Sequence, residues 1–111
     1  SRWILIDKNQ MEQVIINLLT NSMYALEDKE IKEITISAEV KEKRIYLIII
    51  DTGTGIDSEI EDKIFLPFFT TRKDGAGIGL TLSKNIIEAH GGYLTFENGE
   101  NQTKFTVCLL E

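Results

Sequence analysis

Five of the eight glycines fall between Gly53 and Gly79, in the middle of the 111-residue chain, where the aliphatic periodicity also breaks down. That cluster splits the sequence into two flanks that read alike. On the N-terminal side, Met11, Val14, Ile15, Leu18, Ser22, Ala25 and Leu26 recur at helical spacing. Asp7 stands before them as an N-cap with Gln10 three residues on, which predicts a helix from about Lys8 to Glu27. Ile34, Ile36, Ala38 and Val40 then alternate with Thr35, Ser37 and Glu39, and Lys41-Glu42-Lys43 turns the chain into the β-branched run Arg44 to Ile50. This is a hairpin with one or both faces covered. On the C-terminal side, Leu80, Ser83, Ile87 and His90 keep helical spacing until Gly91-Gly92 supplies a stop. Tyr93 to Glu97 and Thr103 to Leu110 flank the turn Asn98-Gly99-Glu100-Asn101 as a second hairpin. With a strand fragment before Asp7 and a short helix in the central loop, the order favours an α+β two-layer sandwich over a doubly wound parallel sheet.

Length and composition bound the function. A chain of 111 residues has room for one domain, residues 1–111, and can form a core without staples. Cys108 is the sole cysteine, so no internal disulfide is possible; in the apolar run Phe105 to Leu110 it reads as a buried small hydrophobe, and its solitude suits a reducing compartment. A formal charge of −6, with no basic cluster beyond Arg72-Lys73, gives no footprint for nucleic acid or an anionic membrane. No apolar stretch spans a bilayer and Ser1-Arg2-Trp3 does not begin a signal peptide, so the expectation is a soluble, cytoplasmic fragment of a parent that can itself be membrane-anchored. There is no Ser/His/Asp set and no His/Cys metal cluster.

An acidic chain that binds a polyanion must use backbone amides, helix N-termini and a bridging cation. Gly75-Ala76-Gly77-Ile78-Gly79-Leu80 runs into a helix and suits phosphate, though it matches neither G-x-G-x-x-G nor a Walker A loop, and a flexible loop reads equally well. Asp51 follows a buried strand directly, and Gly53 and Gly55 after it let a flat ring approach the main chain; a solvated turn is the plainer alternative. Asn17 and Asn21 share a helix face beside the apolar stripe, where an amide oxygen suits Mg²⁺ as well as it suits a solvent edge. Phe65, Phe68 and Phe69 read as loop anchors rather than a stacking platform. Thr70, Thr71, Arg72 and Lys73 behind them supply hydroxyls and cations suited to phosphate. His90, the only histidine, sits at a helix end in a structural role.

Taken in order, Asn17-Leu18-Leu19-Thr20-Asn21, Asp51-x-Gly53-x-Gly55, Phe65-x-x-Phe68-Phe69 and Gly75-x-Gly77-x-Gly79-Leu80 resemble the N, G1, F and G2 boxes of the GHKL ATPase/kinase superfamily. Pro67-Phe68-Phe69-Thr70-Thr71 and Glu88-Ala89-His90-Gly91-Gly92 make the chain most similar to the histidine kinase branch, over nearly its whole length. The resemblance implies the Bergerat fold, an α/β sandwich with a mixed, mainly antiparallel sheet, and a short ATP lid from about Thr70 to Ala76. It implies Mg²⁺ on Asn21, Asn17 beside the triphosphate, and Asp51 on the adenine amine. It further implies Gly53, Gly55 and Ile56 around the base, Gly75, Gly77, Gly79 and Leu80 giving amides to the phosphates, and Thr103 near the adenine. ATP and Mg²⁺ would be the cofactors. A histidine on a separate dimerisation domain and a response regulator would be the partners. A serine/threonine kinase of the anti-sigma-factor type and a nucleotide-sensing module without catalysis are the rival readings. Asn17 stands where gyrase- and chaperone-type relatives carry a glutamate base, so hydrolysis is expected to be feeble; Tyr24 and Gln102 replace a basic residue and a glycine of the usual pattern.

Overall fold

A computed structural model describes residues 6–53, 56, 59–66, 79–99 and 101–110. The strand fragment expected before Asp7, the lid, and the residues Gly55, Thr71, Lys73, Gly75 and Gly77 lie outside the described residues.

Helix α1 spans Lys8–Ala25, with Leu26 as its C-cap. The Asp7 carboxylate accepts from the Gln10 N–H at 3.0 Å, as the N-cap reading requires. The Asp7 N–H, which a capping box would give back to Gln10, is instead donated to His90 Nε2 at 3.0 Å. Because Nε2 accepts, the ring proton sits on Nδ1 and is donated to the Ile86 carbonyl at 2.8 Å. His90 thus ties the start of α1 to the end of helix α2, Gly79–Ala89. It does so by accepting the Asp7 N–H, a structural role of the kind that its place at a helix end suggested. The end of α2 is a Schellman closure: Gly92 N–H bonds the Ile87 carbonyl, Gly91 N–H bonds that of Glu88, and Gly91 takes φ +80°.

Strands β1 (Ile34–Lys41), β2 (Arg44–Asp51), β3 (Tyr93–Gly99) and β4 (Gln102–Leu110) form one sheet in the order β1-β2-β4-β3. Each ladder among the described residues is antiparallel, so the mixed component expected of the sheet is not found there. A single turn of 3₁₀ helix, Glu61–Lys63, is the short helix of the central loop. Both hairpin turns are tighter than the sequence suggested. Lys41 pairs with Arg44 and Gly99 pairs with Gln102, with Glu42 and Asn101 in left-handed backbone at φ 58° and 55°. Asn98 is therefore a strand residue rather than part of the turn.

Both helices lie on one face of the sheet, α1 over β2 and α2 over β3 and β4, and pack on each other. Met11, Val14 and Leu18 of α1 and Ile86 and Ile87 of α2 meet Ile49, Leu94, Phe105, Val107 and Leu109. A fully buried side chain such as Leu18 contributes roughly 1.5–3 kcal/mol by leaving water. Phe65 extends this core by packing on Phe96, which packs on Phe105, at centroid distances of 6.2 and 6.1 Å. The helices cover little of β1: Ile34 packs against the core, but Ile36 and Val40, on the helix side by register, are 52% and 50% exposed, so the first hairpin is covered mainly on β2. On the far face, Cys108 is buried as expected, beside Arg44, whose guanidinium also reaches the Tyr93 hydroxyl at 3.4 Å.

The His90 tie is a strut between helices and touches none of the candidate site residues. His90→Ala is expected to lower the unfolding free energy by about 1 kcal/mol, the usual net worth of a hydrogen bond, in a denaturant titration, without altering ligand affinity.

Candidate functional site

Strand parity decides where the polar groups fall. Asp51, Thr103 and Asn98 face one another across β2, β4 and β3. The next row on that face is Ile49, Phe105 and Phe96. A polar row thus closes one end of the apolar helix-facing side of the sheet. Asp51 is 2% exposed and Thr103 3%. Burial raises the Asp51 pKa above the ordinary carboxylate value; the N–H of Gly53, donated to Oδ1 at 2.9 Å, and the nearby Ser22 hydroxyl partly offset it.

The loop after Asp51 is pinned on both sides. Thr52 accepts the Glu33 N–H and donates to the Ile31 carbonyl, both at 3.0 Å. Ile56 donates its N–H to Asn98 Oδ1 at 2.8 Å, and Asn98 Nδ2 donates to the Ile56 carbonyl and to Glu61 Oε1. Asn98 therefore holds the backbone at Ile56 as a strand would. The sequence reading left it in a turn. Its signal was the parity it shares with Leu94 and Phe96, legible only once the strand is carried on to Gly99.

Gly53 is required by the helix as well as by any ligand. A Cβ there would stand 2.7 Å from Ala25 Cβ and 2.8 Å from both the Ala25 carbonyl and Asp51 Oδ1. Gly79 differs: among the described residues the nearest atoms to its hypothetical Cβ belong to Asn17, at 3.8 and 3.9 Å, which is ordinary contact.

Asn17 joins the helices at this point. Its Nδ2 donates to the Gly79 carbonyl and to Ser83 Oγ, both at 3.2 Å, and its Oδ1 accepts from Gln13 Nε2 at 2.9 Å. Ser83, fully buried, is a partner that sequence reasoning had placed only on an apolar stripe. Asn21, half-buried, lies one turn farther along the same helix face. The structure thus brings Asn17 to Gly79 across 62 residues, and Asp51 to Thr103 and Gly53. Among the described residues no cluster of three His, Cys, Asp or Glu side chains could hold a metal. A cation carried by Asn21 would have to share its coordination with ligand oxygens, which is the habit of Mg²⁺. Thr81 Oγ donates to the Phe65 carbonyl at 2.7 Å and Lys84 lies over the Phe65 ring, so this aromatic anchors the loop.

The described residues thus hold a buried carboxylate at the end of β2 and, separately, an asparagine tied to the glycine-led start of α2. Residues 6–111 match the profile of the histidine kinase-, DNA gyrase B- and HSP90-like ATPase family. The chain belongs to that family. It is 39% identical over 100 residues to the C4-dicarboxylate transport sensor protein DctB of Rhizobium meliloti, covering 90% of this chain and 16% of that protein. It is 35% identical over 116 residues to the sensory histidine kinase/phosphatase NtrB of Vibrio alginolyticus, covering 96% of this chain and 33% of that one. Among solved structures, a nucleotide-free catalytic domain of the histidine kinase ThkA superposes with a TM-score of 0.85 at 35% identity, over 96% of this chain and 70% of that one. The chain is thus a domain of the kind found in sensor histidine kinases, with the two-layer GHKL architecture, and it spans a third or less of these two curated relatives. No helix among the described residues is long and apolar enough to cross a membrane.

Two outcomes follow from the packing around Asp51. Gly53→Ala must displace α1 backbone and is expected to cost about 1–3 kcal/mol in a denaturant titration, as overpacking usually does. Asp51→Asn removes a carboxylate whose folded pKa is raised, so the folded wild type binds its proton more tightly than the unfolded chain. That term lowers wild-type stability as pH rises from the ordinary carboxylate range through the raised folded value. Without ligand, Asp51→Asn is therefore expected to be at least as stable as wild type near neutrality, with the difference vanishing in acid; thermal melts across pH check this.

Proposed function

We propose that residues 1–111 are the ATP-binding catalytic domain of a longer sensor histidine kinase, which binds Mg-ATP and presents the γ-phosphate to a histidine on a separate helical dimerisation domain. An aspartate on a response regulator would receive the phosphoryl group next. The observation that carries the reading is the burial of the Asp51 carboxylate beside Thr103. A chain that buries a carboxylate there forgoes stability, and a ligand with a polar, flat head recovers it.

Each part of the site has a task. Asp51 accepts the exocyclic amine of adenine, with Thr103 beside it and Gly53, Gly55 and Ile56 shaping the wall against the ring. Asn21 offers an amide oxygen to Mg²⁺ shared with the triphosphate, and the ion would supply neutralisation of developing charge. Gly75, Gly77, Gly79 and Leu80 present backbone amides to the phosphates at the start of α2, where the helix dipole favours an anion, with Thr71 and Lys73 from the same loop. Asn17, held to Gly79 and Ser83, keeps α1 and the start of α2 in register. No carboxylate base stands at position 17, so water is not activated there and transfer to a protein acceptor is favoured over hydrolysis. The acceptor is not His90, because its Nε2 is engaged by Asp7 and its Nδ1 by Ile86. A domain of this kind works in the cytoplasm whether or not its parent crosses a membrane.

Mg-ATP at a hundredfold excess over its Kd is expected to stabilise the chain by about 2.7 kcal/mol, seen as a rise of several degrees in melting temperature. Asp51→Asn should lose most of that rise. γ-Labelled ATP should leave no stable label on the chain alone. An unchanged melting temperature, or a chain that labels itself, contradicts the reading.

A further inference from the structure

Asn98 is exposed to water near the end of β3, yet both its amide protons and its amide oxygen are engaged by the protein. Oδ1 accepts the Ile56 N–H at 2.8 Å, while Nδ2 donates to the Ile56 carbonyl and to Glu61 Oε1, the last at 3.1 Å. An exposed hydrogen bond replaces one to water and adds little to stability. Three of them, made by one amide to residues 42 and 37 positions earlier, instead fix where a segment lies.

That segment follows the polar row. Asp51 lies at one end of the row and Asn98 at the other, with Thr103 between, a span of about 9–10 Å at the usual strand spacing. The chain leaves the row at Asp51, and by Ile56 it is held at the opposite end. Glu61, bonded to the same amide, opens the 3₁₀ turn that leads to buried Ile64 and to Phe65, which packs on Phe96. Strand β3 therefore holds the segment at Ile56, at Glu61 and at Phe65, and the first two holds depend on Asn98. Aspartate, the nearest isostere, cannot substitute. Its carboxylate would set lone pairs against the Ile56 carbonyl and the Glu61 carboxylate.

We propose that Asn98 is a positioning residue for base binding: it clasps the Ile56 main chain to the far end of the polar row, so that one wall of the pocket stands in place before nucleotide arrives. This rests on the nucleotide reading of the Asp51 site. Asn98 acts through Ile56 and not by contact with the ligand. Loss of the clasp leaves Asp51 and Thr103 as they are but frees the wall, and ordering it again then opposes binding. Such a defect weakens ATP and ADP alike.

The test compares wild type with Asn98→Leu, with Asn98→Asp, and with Asn98→Asp joined to Glu61→Gln. The readouts are melting temperature without ligand, exchange of the Ile56 amide proton by NMR, and calorimetric titration with Mg-ATP and Mg-ADP. Asn98→Leu should melt close to wild type, exchange the Ile56 amide faster, and bind both nucleotides about tenfold more weakly. Asn98→Asp should bind more weakly still, and Glu61→Gln, which returns a donor to the new carboxylate, should recover part of that loss. A lowered melting temperature with unchanged affinity overturns the proposal, by making Asn98 a matter of stability alone. A loss confined to ATP, or a double variant no better than Asn98→Asp, overturns it as well. If Asn98→Leu binds normally while Asp51→Asn is impaired, the clasp alone falls; if both bind normally, the nucleotide reading of the site falls with it.

Discussion

A carboxylate at the last position of a hydrophobic strand must either reach water or be held by what surrounds it. Asp51 is sealed by α1 above and by Thr103 at its side, and a backbone donor to it, the Gly53 N–H, comes from the residue that the same helix forces to be glycine. The site therefore depends on how closely α1 approaches the end of β2. That approach is set by the core below it, where Val14 and Leu18 lie over Ile49 and Phe105. Packing and recognition meet at one row of the sheet, where apolar pairs give way to Asp51, Thr103 and Asn98.

The two helices are joined by polar contacts as well as by the core. Asn17 bridges to the first turn of α2 and His90 bridges its last residues back to the N-cap of α1, so the two ties sit at opposite ends of α2. Asn98 performs the corresponding task for the loop after β2, using a side-chain amide where a neighbouring strand would use its backbone. The two helices are thereby fixed to each other, and β3 is fixed to the loop after β2. Such a frame would suit the proposed reading, because phosphoryl transfer asks for positioning from a protein with little covalent chemistry of its own to perform. Likeness to DctB, NtrB and ThkA agrees with this frame and assigns the chain to sensor histidine kinases at the level of the domain.

Much was legible in the linear order of residues. The helical stripe of α1, its Asp7 cap, the alternation in β1 and the Gly91-Gly92 stop are local signals whose physics acts within a turn or two of chain, so they are recovered where the sequence places them. The four boxes named Asp51, Asn17, Asn21 and the glycines because residue type and order carry that information. Asn98 and Ser83 escaped, both for the same reason: the role of a polar side chain is set by a partner far away in sequence. Asn98 acts on Ile56, 42 positions earlier, and Ser83 on Asn17, 66 positions earlier.

Sequence alone determined the element types, the helix ends, the family and the chemistry available at each box, since periodicity, capping and residue identity are local properties. Tertiary structure alone decided that Ile36 and Val40 of β1 stay exposed, that His90 accepts the Asp7 N–H, and that Gly53 yields to Ala25. Those outcomes depend on distances between elements, which arise only when the helices settle on the sheet and one set of contacts excludes the rest.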